Sequence, residues 1–336
     1  MEPILLLTHT ELDGSLAKPA LEALSAALAL GGELTVGLVG GAVEPGANLA
    51  AGAGAGRILA VTGEAFTQPR YATDAVAAEA LARAAGATLM LAPATARWSR
   101  ALPGVAHRLG GHIDTHATGL AAREGSLELT RWFYRQRMEA VLTRATRPWL
   151  ILLDPGCCAP WSGTAAAAVQ VENVAVEAPQ PRTSVSGVIA PKADEQTIRP
   201  DAKLLFVAGA GWTKKQTDGA VHVDEAQHLI LGFLRAAHAS LGGSKSLVDL
   251  SGEGQAVLPF MTHLNQVGQT GSTPRHPKGL STCCHGEEPH VVGWRFVTER
   301  RAVNLDPNCG WARGKADVVY VADAFAVVRE LNKLLA

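Results

Sequence analysis

The sequence predicts an α/β protein built from two open, mostly parallel, doubly wound domains joined by a Pro-rich linker. Three observations carry that expectation. Short apolar runs alternate with segments of helical period along most of the chain, the pattern of parallel strands separated by crossover helices. The length, 336 residues, is about twice that of an ordinary ~150-residue domain. Between Val174 and Pro200, Pro179, Pro181, Pro191 and Pro200 interrupt any long regular element, so the domains are expected over 1–190 and 191–336.

Ile4-Leu5-Leu6-Leu7-Thr8 is a continuous apolar run of the length of a strand buried on both faces. Pro19 then opens a segment with Leu21, Leu24, Leu28 and Leu30 at helical spacing, which Gly31-Gly32 ends. Leu34 to Val39 is a second buried strand before Gly40-Gly41. The pattern returns with a strand at Arg57 to Val61, an Ala-rich helix from Asp74 to Ala85, a strand at Thr88 to Ala92 and a helix from Leu102 to Leu109. The Gly-Ala-Gly repetition at 52–56 reads as loop and helix-packing composition, because no full dinucleotide fingerprint surrounds it. From Arg131 to Arg147 the chain is basic and aromatic, with Trp132, Phe133 and Tyr134 beside Arg131, Arg135 and Arg137; a partner surface and a solvated strand face suit it equally. Val169 and Val171, then Val174 and Val176, read as an edge strand with a one-residue slip at Glu172-Asn173. Beyond the linker the alternation resumes with a strand at Leu204 to Val207, a Gly-rich turn at Ala208-Gly209-Ala210-Gly211 and a helical run from Val223 to Leu241.

Composition excludes several classes of function. Thirty basic and 31 acidic residues leave a net charge of −1, which does not suit a nucleic-acid binder that must neutralise phosphates. A hydrophobic content of 47% is enough to build large cores, unlike that of a disordered chain. Five cysteines are too few and too clustered for a secreted disulfide scaffold, and Met1-Glu2-Pro3 lacks the basic start of a signal peptide. The expectation is a soluble, cytoplasmic protein without direct membrane insertion. Cys157-Cys158 and Cys283-Cys284 are adjacent pairs, a spacing that rarely lets both sulfurs face one metal; even with Cys309 and His285, buried thiols are the default and no metal site is expected. No Gly-x-Ser-x-Gly elbow, Walker loop or His-Glu-x-x-His helix is present, so no catalytic residue is assigned.

Gln266-Val267-Gly268-Gln269-Thr270-Gly271 sets two glycines among amides and a hydroxyl, so that backbone N–H groups can approach a ligand without Cβ obstruction. By its local chemistry alone such a loop serves structure as readily as binding. In its setting the chain resembles the alpha subunit of the electron-transfer flavoproteins, which carry the same six residues in an FAD-binding domain. The family's Ser-Gly-Gly-Arg-Gly turn corresponds to Ala208-Gly209-Ala210-Gly211-Trp212, and its Gly-Ala-Ser-Arg to Gly242-Gly243-Ser244-Lys245. Its Gly-Ile-Ser-Gly-Ala-Ile-Gln-His falls on Cys283-Cys284-His285-Gly286-Glu287-Glu288-Pro289-His290, where the second glycine and the last histidine survive. Its Ala-Ile-Asn-Lys-Asp-Pro is Ala302-Val303-Asn304-Leu305-Asp306-Pro307, and its closing Ala-Asp-Tyr-Gly-Ile-Val-Gly-Asp is Ala316 to Asp323. The first half matches in strand order and in Leu102-Pro103-Gly104-Val105-Ala106.

The resemblance implies FAD as cofactor. Gln266, Val267, Gly268, Gln269 and Thr270 would run along the isoalloxazine and ribityl region, with Ser244 on the ribityl or pyrophosphate part and Lys245 near the ring. His285 and Gly286 stand in the family's Ser-Gly. His290 would sit by the pyrimidine edge, where a donor or positive charge favours the reduced anionic flavin. Asn304 and Asp323 would hold the adenosine end. Structural readings stand beside these: Ser244 as a helix cap, Asn304 as a turn former before Asp306-Pro307, His290 as an exposed loop residue.

The departures are equally specific. Gly211 replaces a pyrophosphate-facing arginine, removing a bidentate donor and a positive charge. Lys245 keeps charge without the planar guanidinium, and Glu287-Glu288 bring negative charge toward a dianionic linkage. The expected function is that of an electron carrier rather than a catalyst with its own substrate: the alpha subunit of a heterodimer with a beta subunit. It would take electrons from a flavin dehydrogenase and pass them to a quinone-linked acceptor. The alternative is a cofactor-poor structural subunit of a larger dehydrogenase complex.

Overall fold

The computed structural model describes residues 2–123, 125–134, 138–180, 182–187, 199, 202–244, 247, 256–267, 276–282 and 297–336, apart from the side chains of 310 and 311. The chain divides into two compact units, Met1–Val188 and Ile189–Ala336. Of the Pro-rich stretch expected to join them, residues 181, 188–198 and 200, which include Pro181, Pro191 and Pro200, lie outside the described residues.

Among the described residues of the first unit, nine strands form one sheet in the order β7-β6-β5-β8-β4-β1-β2-β3-β9. They are β1 (Ile4–His9), β2 (Leu34–Gly40), β3 (Arg57–Thr62), β4 (Leu89–Pro93), β5 (His112–Arg123), β6 (Ser126–Phe133), β7 (Met138–Leu142), β8 (Trp149–Leu153) and β9 (Glu172–Asn173). Pairing is parallel from β5 through β8, β4, β1, β2 and β3 to β9, and antiparallel within β5-β6-β7. Helices α1 (Lys18–Ala29) and α2 (Glu44–Gly52) cover one face, α3 (Tyr71–Ala85) and α4 (Ala96–Arg108) the other. The central strands are mostly apolar because both faces are buried: Ile4 and Leu6 belong to one core with Ala20, Leu24 and Ala47, while Leu5 and Leu7 belong to the other with Ala78, Leu81 and Trp98. Each such leucine contributes roughly 1.5–3 kcal/mol on burial. The chain runs β1 to β2 to β3 on one side of β1 and returns to β4 on the other, which opens a topological switch point at the carboxyl ends of β1 and β4.

Three features differ from the sequence expectation. α4 begins at Ala96, where the Thr95 hydroxyl accepts the Trp98 N–H at 3.3 Å, instead of at Leu102, and it carries Pro103 inside with its ring exposed. The edge strand is only the two residues Glu172–Asn173, yet the valine pattern has the expected meaning: Val169 and Val171 pack on the α1/α2 face, Val174 and Val176 on the α3/α4 face. The chain changes faces where it passes the edge of the sheet. The described part of the basic aromatic stretch is the antiparallel extension, and its Arg131 and Arg144 turn inward. Asp114, 1% exposed, accepts Arg131 Nη1 at 2.7 Å, Trp149 Nε1 at 2.9 Å and the Arg144 guanidinium.

Between β8 and β9 the chain straps across the helices: the Trp161 N–H donates to Leu21 O at 3.1 Å and the Ala166 N–H to Asn48 O at 2.8 Å. The strap passes over Gly52, where a Cβ would stand 2.2 Å from Thr164 O, so the glycine at 52 is a packing requirement.

The second unit has a parallel sheet of order β11-β10-β12-β13-β14 among its described residues: β10 (Leu204–Ala208), β11 (Ser240–Gly243), β12 (Lys278–Thr282), β13 (Glu299–Asn304) and β14 (Val318–Val321). Helices α5 (Val223–Ala237) and α7 (Ala324–Leu335) pack on Phe206, Ala208 and Val303; α6 (Gly310–Lys315) packs on the opposite face, where Leu205, Val207 and Ala302 meet Val267 and Ala312. α5 stops at Ala237, short of the expected Leu241, because His238 adopts the left-handed conformation (φ 47°) and frees Ser240-Leu241 to begin β11. The switch point here lies between β10 and β12.

Candidate functional site

The carboxyl edge of the second sheet gathers the described candidate residues into two groups on either side of β12. On the β11 side the Ser244 N–H donates to Ala208 O at 3.2 Å and the Val267 N–H to Gly243 O at 3.3 Å, and Gly243 and Gln266 form a parallel bridge. These backbone bonds bring Ser244, Gln266 and Val267 together at the ends of β10 and β11. Ser244 and Gln266 are 3% and 5% exposed. The chain reaches this position through a capped turn: the Thr262 hydroxyl accepts the Leu264 N–H at 3.2 Å and Asn265 Oδ1 accepts the Thr262 N–H at 2.8 Å. Val267 sends its side chain into the core against Leu205 and Val207. A Cβ on Gly242 would meet Val267 Cγ1 at 2.7 Å, so that glycine is explained by the valine.

On the β13 side stand Asn304 and Asp323. Asn304 ends β13, is buried, and its Oδ1 accepts the Asp306 N–H at 3.2 Å, the turn its sequence context suggests. Asp323 is exposed and caps α7, accepting the Phe325 N–H at 2.9 Å. With Gly211 and Gln216 they line a hollow of ≈ 10 Å³, room for about one water molecule. Lys245, Gly268, Gln269, Thr270, His285, Gly286 and His290 lie outside the described residues.

The turn after β10 is a single 3₁₀ turn, Ala210–Thr213, and the residue that anchors it was not assigned from sequence. Trp212 is fully buried; its Nε1 donates to Thr282 Oγ1 at 2.8 Å, and its ring packs 4.5 Å from that of Phe325. The Thr282 hydroxyl donates onward to Val207 O at 3.1 Å. β10, β12 and α7 are thus pinned at the switch point by one indole, in the turn where the resembled family has a glycine.

The first unit has its own polar group at the switch point between β1 and β4. The buried pair Arg97–Asp74 closes at 2.8 Å, and Arg97 Nη2 donates to Phe66 O at 2.6 Å. Beside it lies His9, its ring 6.0 Å from that of Trp98. Burial, reinforced by the Arg97 charge, pushes the His9 pKa down to about 4, so the imidazole is neutral at pH 7. His9 Nδ1 and Trp98 Nε1 are both buried without a hydrogen-bond partner.

The thiols of Cys157 and Cys158 lie 3.8 Å apart, and Cys158 donates to Glu22 O at 2.8 Å; burial pushes its pKa up, which makes it a poor nucleophile at neutral pH. Among the described residues Cys157, Cys158 and Cys309 are not joined in a disulfide, and no group of three or more His, Cys, Asp or Glu side chains is placed to hold a metal ion.

Two doubly wound units, one with buried hydroxyl and amide side chains along the carboxyl edge of a parallel sheet, define an α/β protein of the open, doubly wound class. The family model described as the electron transfer flavoprotein domain matches residues 4–179, just over half of the chain and nearly all of the first unit. The chain belongs to the electron transfer flavoprotein family, a family of flavoproteins. No curated protein matches it. No helix among the described residues is long and apolar enough to cross a membrane.

The residues present suit a flavin nucleotide in their chemistry. A hydroxyl, two amides and a carboxylate stand along one edge of the sheet, groups able to hydrogen-bond a ribityl chain or a ribose.

Proposed function

We propose that the chain is the alpha subunit of a heterodimeric electron-transfer flavoprotein. Its second unit carries FAD, and its first unit forms part of the interface with a beta subunit. The assembly takes electrons from a flavin dehydrogenase and delivers them to a quinone-linked acceptor. The observation that carries this reading is the convergence of Ser244, Gln266, Asn304 and Asp323 on the carboxyl edge of one parallel sheet, in the order of the family's motifs. The free cysteines suit a reducing, cytoplasmic compartment.

FAD, when bound, supplies the ring that takes up and releases electrons. The work of this chain is to hold it: Ser244 and Gln266 offer a hydroxyl and an amide on the β11 side, and Asn304 and Asp323 offer an amide and a carboxylate on the β13 side. The family resemblance adds Gly268, Gln269, Thr270, Lys245, His285, Gly286 and His290 to the residues proposed to bind FAD, and a donor such as His290 would favour the reduced, anionic flavin. No bond-making side chain is required. The test is the FAD content of the purified complex carrying Gln266→Leu with Asn304→Leu. Content should fall about tenfold or more, as expected for losing two buried hydrogen-bonding side chains; unchanged content would reject the site.

A second reading, a cofactor-poor structural subunit of a larger dehydrogenase complex, draws on Gly211, the buried Trp212 plug and the small hollow beside Asn304. It predicts a folded complex that takes up no flavin.

A further inference from the structure

The geometry points to Cys157 and Cys158 as a reversible modification site, a dithiol that a small-molecule disulfide oxidises to a disulfide between neighbouring residues and that a small thiol reopens. The pair stands on the loop that leaves β8 and begins the strap across α1. Its two Sγ atoms are 3.8 Å apart, and both residues are half-buried, which leaves them open to a small reagent. The loop is held from one residue of α1. Glu22, 3% exposed, accepts the Gly156 N–H on Oε2 at 2.7 Å and the Cys158 thiol on its backbone oxygen at 2.8 Å. The Cys157 N–H turns back to Asp154 O at 3.3 Å, and Gly156 between them takes the left-handed conformation (φ 82°) that the reversal requires. Cys309 is buried in the core of the second unit.

Exchange begins at Cys157, because burial and the bond to Glu22 O keep the Cys158 thiol protonated. The Cys157 thiolate attacks one sulfur of glutathione disulfide and expels one glutathione thiolate, leaving a mixed disulfide. Cys158 then gives its proton to solvent, attacks Cys157 Sγ and expels the second glutathione thiolate. Two thiols of the chain are oxidised, one disulfide is reduced to two thiols, and these take up the two protons released. Neighbouring Cα atoms are about 3.8 Å apart, short of the ~4.4 Å at which ordinary disulfides begin, so the ring closes under strain and reopens readily. That suits a reversible mark rather than a structural crosslink. Closure also takes Cys158 Sγ off Glu22 O, one of the two bonds by which Glu22 holds the loop.

The experiment incubates the full chain with glutathione disulfide, blocks the remaining thiols with N-ethylmaleimide and weighs the tryptic peptide 145–182, which holds these two cysteines and no others. The peptide should be recovered lighter by two hydrogens, with neither maleimide nor glutathione attached. Reduced glutathione added before blocking should return it with both thiols alkylated. Cys158→Ser should stop at the mixed disulfide, with glutathione retained on Cys157, because the thiol that resolves it is gone. A wild-type peptide that stays doubly alkylated, that retains glutathione, or that is linked to a peptide bearing Cys283, Cys284 or Cys309 overturns the inference.

Discussion

His9 makes the first unit sensitive to acid in a way that can be worked from the structure. In the unfolded chain its imidazole takes a proton near pH 6.5; in the folded unit burial and Arg97 hold the pKa at about 4. A base whose folded pKa is depressed contributes stability that is present above the unfolded value and is lost as pH falls toward the folded one. Between pH 6.5 and 4 the unfolded chain therefore binds a proton that the folded unit does not, at about 1.4 kcal/mol per pH unit. The full loss is on the order of 3 kcal/mol, a large part of the stability of an ordinary domain. The Arg97 charge that opposes protonation is itself held by Asp74, with Arg100 3.9 Å from the second carboxylate oxygen. The assay is a urea titration at intervals from pH 7 to pH 4 on wild type and His9→Gln, with the imidazole shift of His9 followed by NMR. The wild type should lose stability more steeply than the variant, and the His9 resonance should titrate near pH 4. Parallel stability profiles with His9 titrating near pH 6.5 would refute the reasoning.

Two further variants probe the same unit. Asp114→Ala strips the shared partner from Arg131, Arg144 and Trp149 Nε1 and should cost about 3 kcal/mol, the lower end for breaking a buried ion pair because Arg144 can turn to water; chemical denaturation measures it. Burial opposes ionisation of Asp114, but hydrogen bonds from Arg144 and Trp149 hold its pKa below the usual carboxylate range, so this contribution fades only in strong acid. Gly52→Val drives its Cβ against the strap at Thr164 O and should cost about 1–3 kcal/mol in the same assay; a neutral result would mean the strap does not bear on α2.

Much of the first unit was legible because its strands are buried on both faces. Ile4 to Leu7 is apolar at every position and Leu34 to Val39 at every position but Thr35, and glycines such as Gly31 (φ 68°) and Gly86 (φ 61°) punctuate the helices between strands. The start of α4 was hidden because its first turns carry Arg97, Ser99 and Arg100, and only the tertiary structure shows Arg97 turning inward to Asp74. The β5-β6-β7 extension was hidden for a related reason. A run rich in arginine gives no sign that Arg131 and Arg144 meet one buried aspartate from 17 and 30 residues away. In the second unit the structure brings Ser244, Gln266, Asn304 and Asp323 to one edge of the sheet, at strand ends where Gly, Asn, Asp and Ser also serve as ordinary turn and cap residues. The local roles of Asn304 and Asp323, a turn and a helix cap, belong to the structural readings that the same residue types allow. Trp212 was illegible because its partners are distant in sequence: Thr282 ends β12, 70 residues on, and Phe325 lies in α7, which follows β14.

The flavin released from the purified wild-type complex on denaturation, identified by mass and quantified against protein, bears most directly on the proposed role. The account predicts FAD at close to one molecule per copy of this chain. A folded, colourless complex that remains free of flavin after incubation with excess FAD would contradict it.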